Sequence, residues 1–167
     1  MKQLNTAVLI LAAFLAASSI AYGGGLKFKA NLSGAQEVPG VVTVTEGRVK
    51  ASANNDFSEM RVDLDVFDGV DILQAHFHCR RPGQNGPVVV FLFGLVAGGV
   101  NVDGQLARVT LTNDDIGAVG ADCVPEIGRP VNNIVSLAFA MRDGLIYANV
   151  HSLANPAGEI RGQMLEK

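Results

Sequence analysis

The 167-residue sequence contains no tryptophan, only two cysteines and few aromatic residues, which make up 6% of the chain. Charged residues are also scarce at 17%, and the formal net charge at pH 7 is -3. Domains that bind nucleic acid carry a marked excess of lysine and arginine, so this composition argues against a nucleic acid as partner. The length suits one domain with a substantial core and is too short for two ordinary domains.

The N-terminal apolar stretch, Ala7–Ala17, is shorter than the run of about 20 residues that spans a bilayer comfortably. It follows Lys2 and precedes small residues, with Ser19 and Ala21 at the −3 and −1 positions of a cleavage site. This pattern predicts a signal peptide over residues 1–21, followed by a single secreted or periplasmic domain over residues 22–167 that does not insert stably in a membrane. An uncleaved N-terminal anchor is the alternative.

Export would place the two cysteines, Cys79 and Cys123, in an oxidising compartment. In an oxidising compartment a pair of cysteines normally forms a disulfide. That bridge would close a loop of about 45 residues and contribute about 4 kcal/mol at most. The competing interpretation makes Cys79 a metal ligand beside His78, but neighbours on an extended strand point to opposite faces, which favours the disulfide.

After the leader, the sequence alternates between apolar and polar residues, as strands with one buried face do. In "SEMRVDLDVFDG" the apolar residues from Met60 to Val66 share one face, and Arg61, Asp63 and Asp65 share the other. Glycine is abundant at 19 residues, and turn sequences separate the alternating segments. Besides "LKFKANLSG" and this segment, strands are expected at 42–53, 72–78, 88–92, 106–112, 145–151 and 159–164.

Two segments depart from the alternation. "PVNNIVSLAFAMRDG" has apolar residues at helical spacing and ends at Gly144, which predicts one short helix near residues 130–143. "VVVFLFG", from Val88, is apolar on both faces and is typical of a central strand covered on both sides. The pattern as a whole predicts an all-β fold.

The chain has three histidines, and they are not scattered. His76 and His78 lie two residues apart on a predicted strand, so their side chains share a face about 6.6–6.8 Å apart along the strand, with Phe77 turned to the core. His151 ends a later predicted strand, whose same-face neighbours are Tyr147 and Asn149. Neutral imidazole suits copper and zinc, and three histidines leave a position open for a small ligand. The alternative is that all three only satisfy hydrogen bonds.

Glu159 and Arg161 also share a face of the last predicted strand, with Glu37 expected nearby. We interpret them as an ion pair that ties this strand to the first loop rather than as catalytic groups. The sequence has no Gly-x-Ser-x-Gly elbow, no phosphate-binding glycine loop and no zinc-ribbon cysteine pairs. No catalytic residue is therefore predicted.

Three segments resemble the signature segments of the CHRD domain family, named after chordin: "LSGAQEVPG", "AHFH…GQNGPVVVFLF" and "YANVHSLANPAGEIRGQM". They lie in the family's order between Leu26 and Met164. The resemblance implies an all-β extracytoplasmic domain whose recurring histidines match His76, His78 and His151. Where the family commonly has a small residue after the second histidine, this chain has Cys79, which suggests a lineage-specific disulfide to Cys123.

The His-x-His strand also resembles the copper side of copper–zinc superoxide dismutase, which implies a Greek-key β-sandwich or barrel of about eight strands. With three histidines the chain lacks the fourth copper ligand and the zinc site of that enzyme. The leading hypothesis is an exported domain that binds copper, or else zinc, through the three histidines for copper handling or redox chemistry. The alternatives are a structural or protein-binding module without metal, able to bind a protein partner or form a homodimer, and a copper enzyme acting on superoxide, with Arg161, Arg80 or Arg81 supplying positive charge.

Overall fold

The computed structural model describes residues 25–118 and 123–167, so the predicted signal peptide lies outside the described residues. Antiparallel strands dominate: β1 Lys27–Ser33, β2 Glu46–Ala53, β3 Glu59–Cys79, β4 Val88–Phe93, β5 Val100–Thr112, β6 Ile146–Ser152, β7 Ile160–Gln163 and β8 Leu165–Glu166. The helices are α1 Asn113–Ala118, α2 Val124–Ile127 and α3 Ile134–Arg142, and a single 3₁₀ turn spans Gly34–Gln36. None of the helices in the described ranges is long and apolar enough to cross a membrane.

Five of the strands form a closed ring in which β1 pairs with β2, β2 with β3, β3 with β6, β6 with β7, and β7 with β1. The last pairing, Ser33 with Arg161, closes the barrel. Outside the ring, β4 and β5 pair with β3, and β8 pairs with β1. The expected all-β barrel or sandwich of about eight strands is confirmed.

Strand β3 is the longest element, with 21 residues. Its first half pairs with β2 and its second half with β6. The sequence had indicated two strands separated by a turn, but the turn-like residues form an irregularity within one strand, where Asp68 and Asp71 have φ of 52° and 49°. Met60 and Val62 face the core in the first half, whereas Ala75 and Phe77 do so in the second. The irregularity therefore changes which alternate residues point inward.

Strand β4 is not the central strand that its sequence suggested. It stands at the end of the strand order and pairs with β3. Val89, Val90 and Leu92 are buried, but Phe91 is 44% exposed. Its second apolar face is used locally instead, because the Phe91 ring packs edge-on against His76 with the ring centroids 4.4 Å apart.

The predicted helix is present as α3, which begins at a capping box formed by Asn133 and Ser136. Gly144, with φ of 66°, follows its end. Two helices that the sequence did not indicate, α1 and α2, lie between β5 and α3. Cys79, at the end of β3, faces the core and forms the expected disulfide with Cys123.

Candidate metal centre

The three histidines lie on the outer face of the barrel, where β3 and β6 pair. His76 stands opposite Asn149, and His78 stands opposite Tyr147. On the inner face of the same two strands, Phe77 stands opposite Ala148 within the core. The loops after β1, β3 and β6 cover the outer face, so strand β6 is buried along its whole length. The expected orientation of Phe77 toward the core and of the paired histidines away from it is confirmed.

The fold brings together imidazoles that are 73 residues apart in the sequence. One ring nitrogen from each of His76, His78 and His151 lies within 4.8 Å of the others. His76 Nδ1 is 3.2 Å from His151 Nε2. The three residues are only 3%, 8% and 7% exposed, respectively. Two nitrogens bound to one copper or zinc ion at about 2.0–2.1 Å lie at most about 4.2 Å apart, so a single ion could bind all three imidazoles once they move slightly closer together.

Backbone carbonyls fix the orientation of two of these rings. His78 Nδ1 donates to the carbonyl of Gly86 at 2.9 Å, and His151 Nδ1 donates to that of Pro156 at 3.0 Å. Because a carbonyl only accepts, both rings carry their proton on Nδ1 and present the lone pair of Nε2 to the cluster. This bond to the nitrogen remote from the metal is the support that metal-ligating histidines usually have.

Two ring nitrogens in the cluster have no protein partner. His76 Nε2 and His78 Nε2 are buried and make no hydrogen bond among the described residues. A buried polar atom without a partner costs about 1–3 kcal/mol, so such atoms call for an explanation. An ion bound by the imidazoles would provide one for His78 directly. His76 would supply Nδ1 once the proton on that atom moves to Nε2.

Burial keeps the imidazoles neutral. It lowers the pKa of His76 to about 3 and that of His78 to about 4, and the neighbouring His151 contributes to both shifts. The pKa of His151 is also lowered by burial, against the opposing effect of its bond to Pro156. Neutral imidazole is the form that binds a metal, so protons do not compete for these nitrogens at neutral pH.

A stack of three side chains supports His78. Its ring lies parallel to the Tyr147 ring at a centroid distance of 4.8 Å, and the Arg161 guanidinium carbon lies 3.5 Å from the other face of Tyr147. Arg161 also donates to Asn85 Oδ1 at 3.0 Å and to the carbonyl of Gln84 at 2.7 Å. Arg161 therefore holds the loop from which Gly86 orients His78.

Glu37 and Asn149 form a buried polar pair beside the stack. Asn149 Nδ2 donates to Glu37 Oε1 at 2.7 Å. Burial raises the pKa of Glu37 to about 7, opposed by the bond from Asn149 and the charge of Arg161. A Cβ atom at Gly158 would come within 2.7 Å of the Glu37 carboxylate, so only glycine fits at that position.

Glu159 and Arg161 do not form the ion pair that the sequence suggested. The Glu159 carboxylate accepts hydrogen bonds from Thr43, Ser152 and Asn155. Burial raises its pKa, but these bonds together lower it more, so the pKa lies below the ordinary value. Arg161 instead donates to the loop after β3. The two side chains tie β7 to different loops, because each finds neutral partners closer to it.

Of the residues singled out from the sequence, the histidines, Tyr147, Asn149 and Arg161 lie in or beside the cluster, whereas Glu159 supports the loop after β6. Sequence reasoning missed the carbonyls of Gly86 and Pro156 and the ring of Phe91. No side-chain pattern reports a backbone carbonyl. The glycine and proline turns next to the histidine segments were the signal that loops fold over the site.

A family model of the CHRD domain matches residues 28–164. No curated protein and no solved structure gives a significant match. CHRD domains are extracellular, in agreement with the disulfide between Cys79 and Cys123. Because the match covers the chain from β1 to the end of the barrel, including all three histidines, this chain belongs to the CHRD domain family.

Proposed function

We propose that this protein binds one transition-metal ion, copper in particular, through His76, His78 and His151. The observation that carries the proposal is the convergence of three neutral, buried imidazoles with ligand nitrogens within 4.8 Å of one another. A purely structural cluster would be expected to pair its buried nitrogens, yet His78 Nε2, whose lone pair an ion would bind, has no partner.

The donor set favours copper over other ions. All three ligands are imidazole nitrogens, and both cysteines are taken up by the disulfide, so no thiolate is available within the described residues. Carboxylates prefer harder ions, and none belongs to the cluster. For a given nitrogen site, affinity among divalent first-row metals is highest for copper, with zinc below it. Copper bound here would supply one-electron redox chemistry or a transferable ion.

The proposed setting is outside the cytoplasm, after removal of a signal peptide over residues 1–21. An oxidising compartment agrees with the disulfide between Cys79 and Cys123. Handling or buffering of copper is favoured over catalysis on superoxide. That reaction benefits from an exposed cation near the metal. Of the three arginines considered for this role, Arg161 is only 2% exposed and Arg80 is paired with Glu126, which leaves only Arg81, an exposed residue of the loop after β3.

A second candidate is a structural module without metal. The observation in its favour is the contact between His76 Nδ1 and His151 Nε2, which is a good hydrogen bond when no ion is present. In that case the imidazoles would only join β3 to β6, and the partner of the domain would be another protein.

Metal content separates these candidates. We expect the exported protein, purified without a histidine tag, to hold one equivalent of copper and to show nitrogen ligation by electron paramagnetic resonance. His151→Ala should lose both the ion and the signal. Copper should raise the melting temperature of the wild type, since a ligand at a hundredfold excess over its dissociation constant stabilises by about 2.7 kcal/mol.

Gln74→Ala is the matched control, because Gln74 stands opposite His151 in the pairing of β3 with β6 but carries no imidazole. It should bind copper as the wild type does. Wild-type protein that retains no copper and melts at the same temperature with and without it would refute the metal site and leave the structural module.

A further inference from the structure

The lysines in the described part of the chain are gathered in one place. All four lysines among the described residues, Lys27, Lys29, Lys50 and Lys167, line a single groove of about 350 Å³, together with Arg61. The groove lies on the outer face of β1, β2 and β3, beside the C-terminal residues. The chain as a whole is acidic, with a net charge of -3, so this concentration of positive charge is not a reflection of composition.

The cations of the groove outnumber its acidic side chains five to one. No ion pair in the described ranges involves any of the five, whereas five arginines elsewhere do form ion pairs. The single acidic residue that lines the groove, Asp63, accepts instead from Arg108 Nε at 2.6 Å. Lys50 stands directly opposite Asp63 in the pairing of β2 with β3, so this carboxylate offsets part of its charge, and the excess of positive charge over Asp63 is available to an external anion.

One pair of lysines stands in an electrostatically unfavourable position. Lys29 stands directly opposite Lys50 in the pairing of β1 with β2. Like charges at directly opposed positions of an antiparallel pair destabilise it. Asp63, opposite Lys50 on its other side, offsets part of this repulsion, and an anionic partner that lies across β1 and β2 would offset the rest.

We propose that this lysine groove binds the headgroups of anionic phospholipids at a membrane surface. Lysine ammonium groups act as point charges without the fixed fork of arginine, which suits a fluid layer of headgroups better than a single planar ligand. The groove is lined by residues of three adjacent strands, so its cations can meet more than one headgroup at once.

The position of the groove in the chain supports a membrane as the source of the anion. Only nine residues, 18–26, separate the apolar stretch Ala7–Ala17 from Lys27 at the start of β1, and the backbone N–H of Lys167 donates to the carbonyl of Lys27. Nine residues span at most about 30 Å. If the leader is kept as an anchor, the start of the groove therefore stays within about 30 Å of the membrane.

The test is sedimentation of the exported protein, its N terminus determined by mass, with two kinds of vesicle. One is phosphatidylcholine alone and the other contains phosphatidylglycerol as well. We expect binding to the anionic vesicles at low ionic strength, loss of binding as salt is added, and little binding to the neutral vesicles. Lys29→Gln/Lys50→Gln should weaken the partition about 25-fold, since each lysine near an anionic surface contributes roughly fivefold.

Arg81→Gln/Arg142→Gln is the matched control, since it removes two exposed positive charges outside the groove. It should bind the anionic vesicles as the wild type does. Removal of the opposed lysines should leave the melting temperature unchanged or slightly higher, so a loss of binding cannot be assigned to unfolding.

Three results would overturn the proposal. They are equal binding to neutral and anionic vesicles, equal weakening by the two double variants, and binding to the soluble polyanion dextran sulfate without binding to anionic vesicles. None of these measurements involves copper, so the lysine groove and the metal centre can fail independently.

Discussion

The two faces of the β3–β6 pair are buried to the same degree but held in different ways. On the inner face, Phe77 and Ala148 are 0% and 1% exposed and contact other apolar side chains. On the outer face, the opposed residues His76 and Asn149 are both 3% exposed, yet they are polar. The inner face is stabilised by removing apolar surface from water, and the outer face by directed bonds to covering loops.

This difference determines what each face tolerates. An apolar core accepts another residue of similar volume, because dispersion and transfer from water depend little on direction. The outer face does not, because each polar group depends on a particular partner: Gly86 for His78, Pro156 for His151 and Glu37 for Asn149. A cluster built in this way is poorly explained by stability alone, which is why the unpaired Nε2 of His78 points to a ligand.

The largest effect is expected on the inner face. Phe77→Ala should lower the free energy of unfolding by about 3–5 kcal/mol, since it leaves a cavity in a closed core. Phe77→Leu, which keeps most of the volume, should lose much less. Urea denaturation measures both. In the fraction that stays folded, copper binding should persist, and its loss in Phe77→Leu would show that the two faces are not independent.

On the outer face, Arg161→Ala should lower the free energy of unfolding by about 2–3 kcal/mol, because it leaves the Gln84 carbonyl and the Asn85 side chain without their buried donor. It should also weaken copper binding about tenfold by releasing the stack on His78. Arg161→Lys keeps the charge without the paired bonds. Its free energy of unfolding and its copper affinity should therefore lie between those of the wild type and of Arg161→Ala. Denaturation and copper titration provide the two readouts. Unchanged copper affinity in Arg161→Ala would remove the arginine from the support of the site.

Glu37 gives the outer face a pH dependence that the inner face lacks. Its pKa is about 7 in the folded protein against 4.5 ordinarily. The folded state keeps the proton longer, so the stabilisation by this group is complete below pH 4.5 and is lost as the pH rises through 7. As the pH rises from 4.5 to 7, the free energy of unfolding of Glu37→Gln should therefore increase by about 1–2 kcal/mol relative to that of the wild type.

Thermal denaturation of both proteins between acid and neutral pH tests this expectation. The histidines have the opposite effect on stability. Because their pKa values are lowered in the folded protein, they take up protons more readily in the unfolded chain, and the stability of the fold falls as the pH drops below 6.5. Because both proteins contain them, their contribution cancels in the difference. A constant difference between wild type and Glu37→Gln would mean that Glu37 ionises normally.

The smallest effect should come from Tyr147→Phe. The Tyr147 hydroxyl accepts from the backbone N–H of Gly86 at 3.1 Å, and its loss should cost about 1 kcal/mol. The aromatic ring remains between Arg161 and His78, so copper affinity should stay within about threefold of wild type. Tyr147→Leu removes the ring as well and should weaken the site further. Equal affinities in the two variants would show that stacking does not position His78.

The alternation of residues was enough to predict the all-β class, the burial of Met60–Val66 and the shared face of His76 and His78, because strand geometry is local. Helix α3 was predicted for the same reason, from its spacing and Gly144. The prediction of β4 as a central strand was wrong because the sequence alone cannot distinguish an apolar residue in the core from one, such as Phe91, that packs against His76 at the surface. The separation of β3 into two strands failed because turn-forming residues also fit a bulge within a strand.

The sequence by itself determined the family, the class of fold, the paired cysteines and the three histidines. Only the tertiary structure decided that His151 meets His76 across 75 residues, that Arg161 is buried against Tyr147, and that the lysines share one groove. The physical reason is that periodicity specifies which way a side chain points from its own strand. Which strands become neighbours, in what register and under which loops, depends on closure of the barrel.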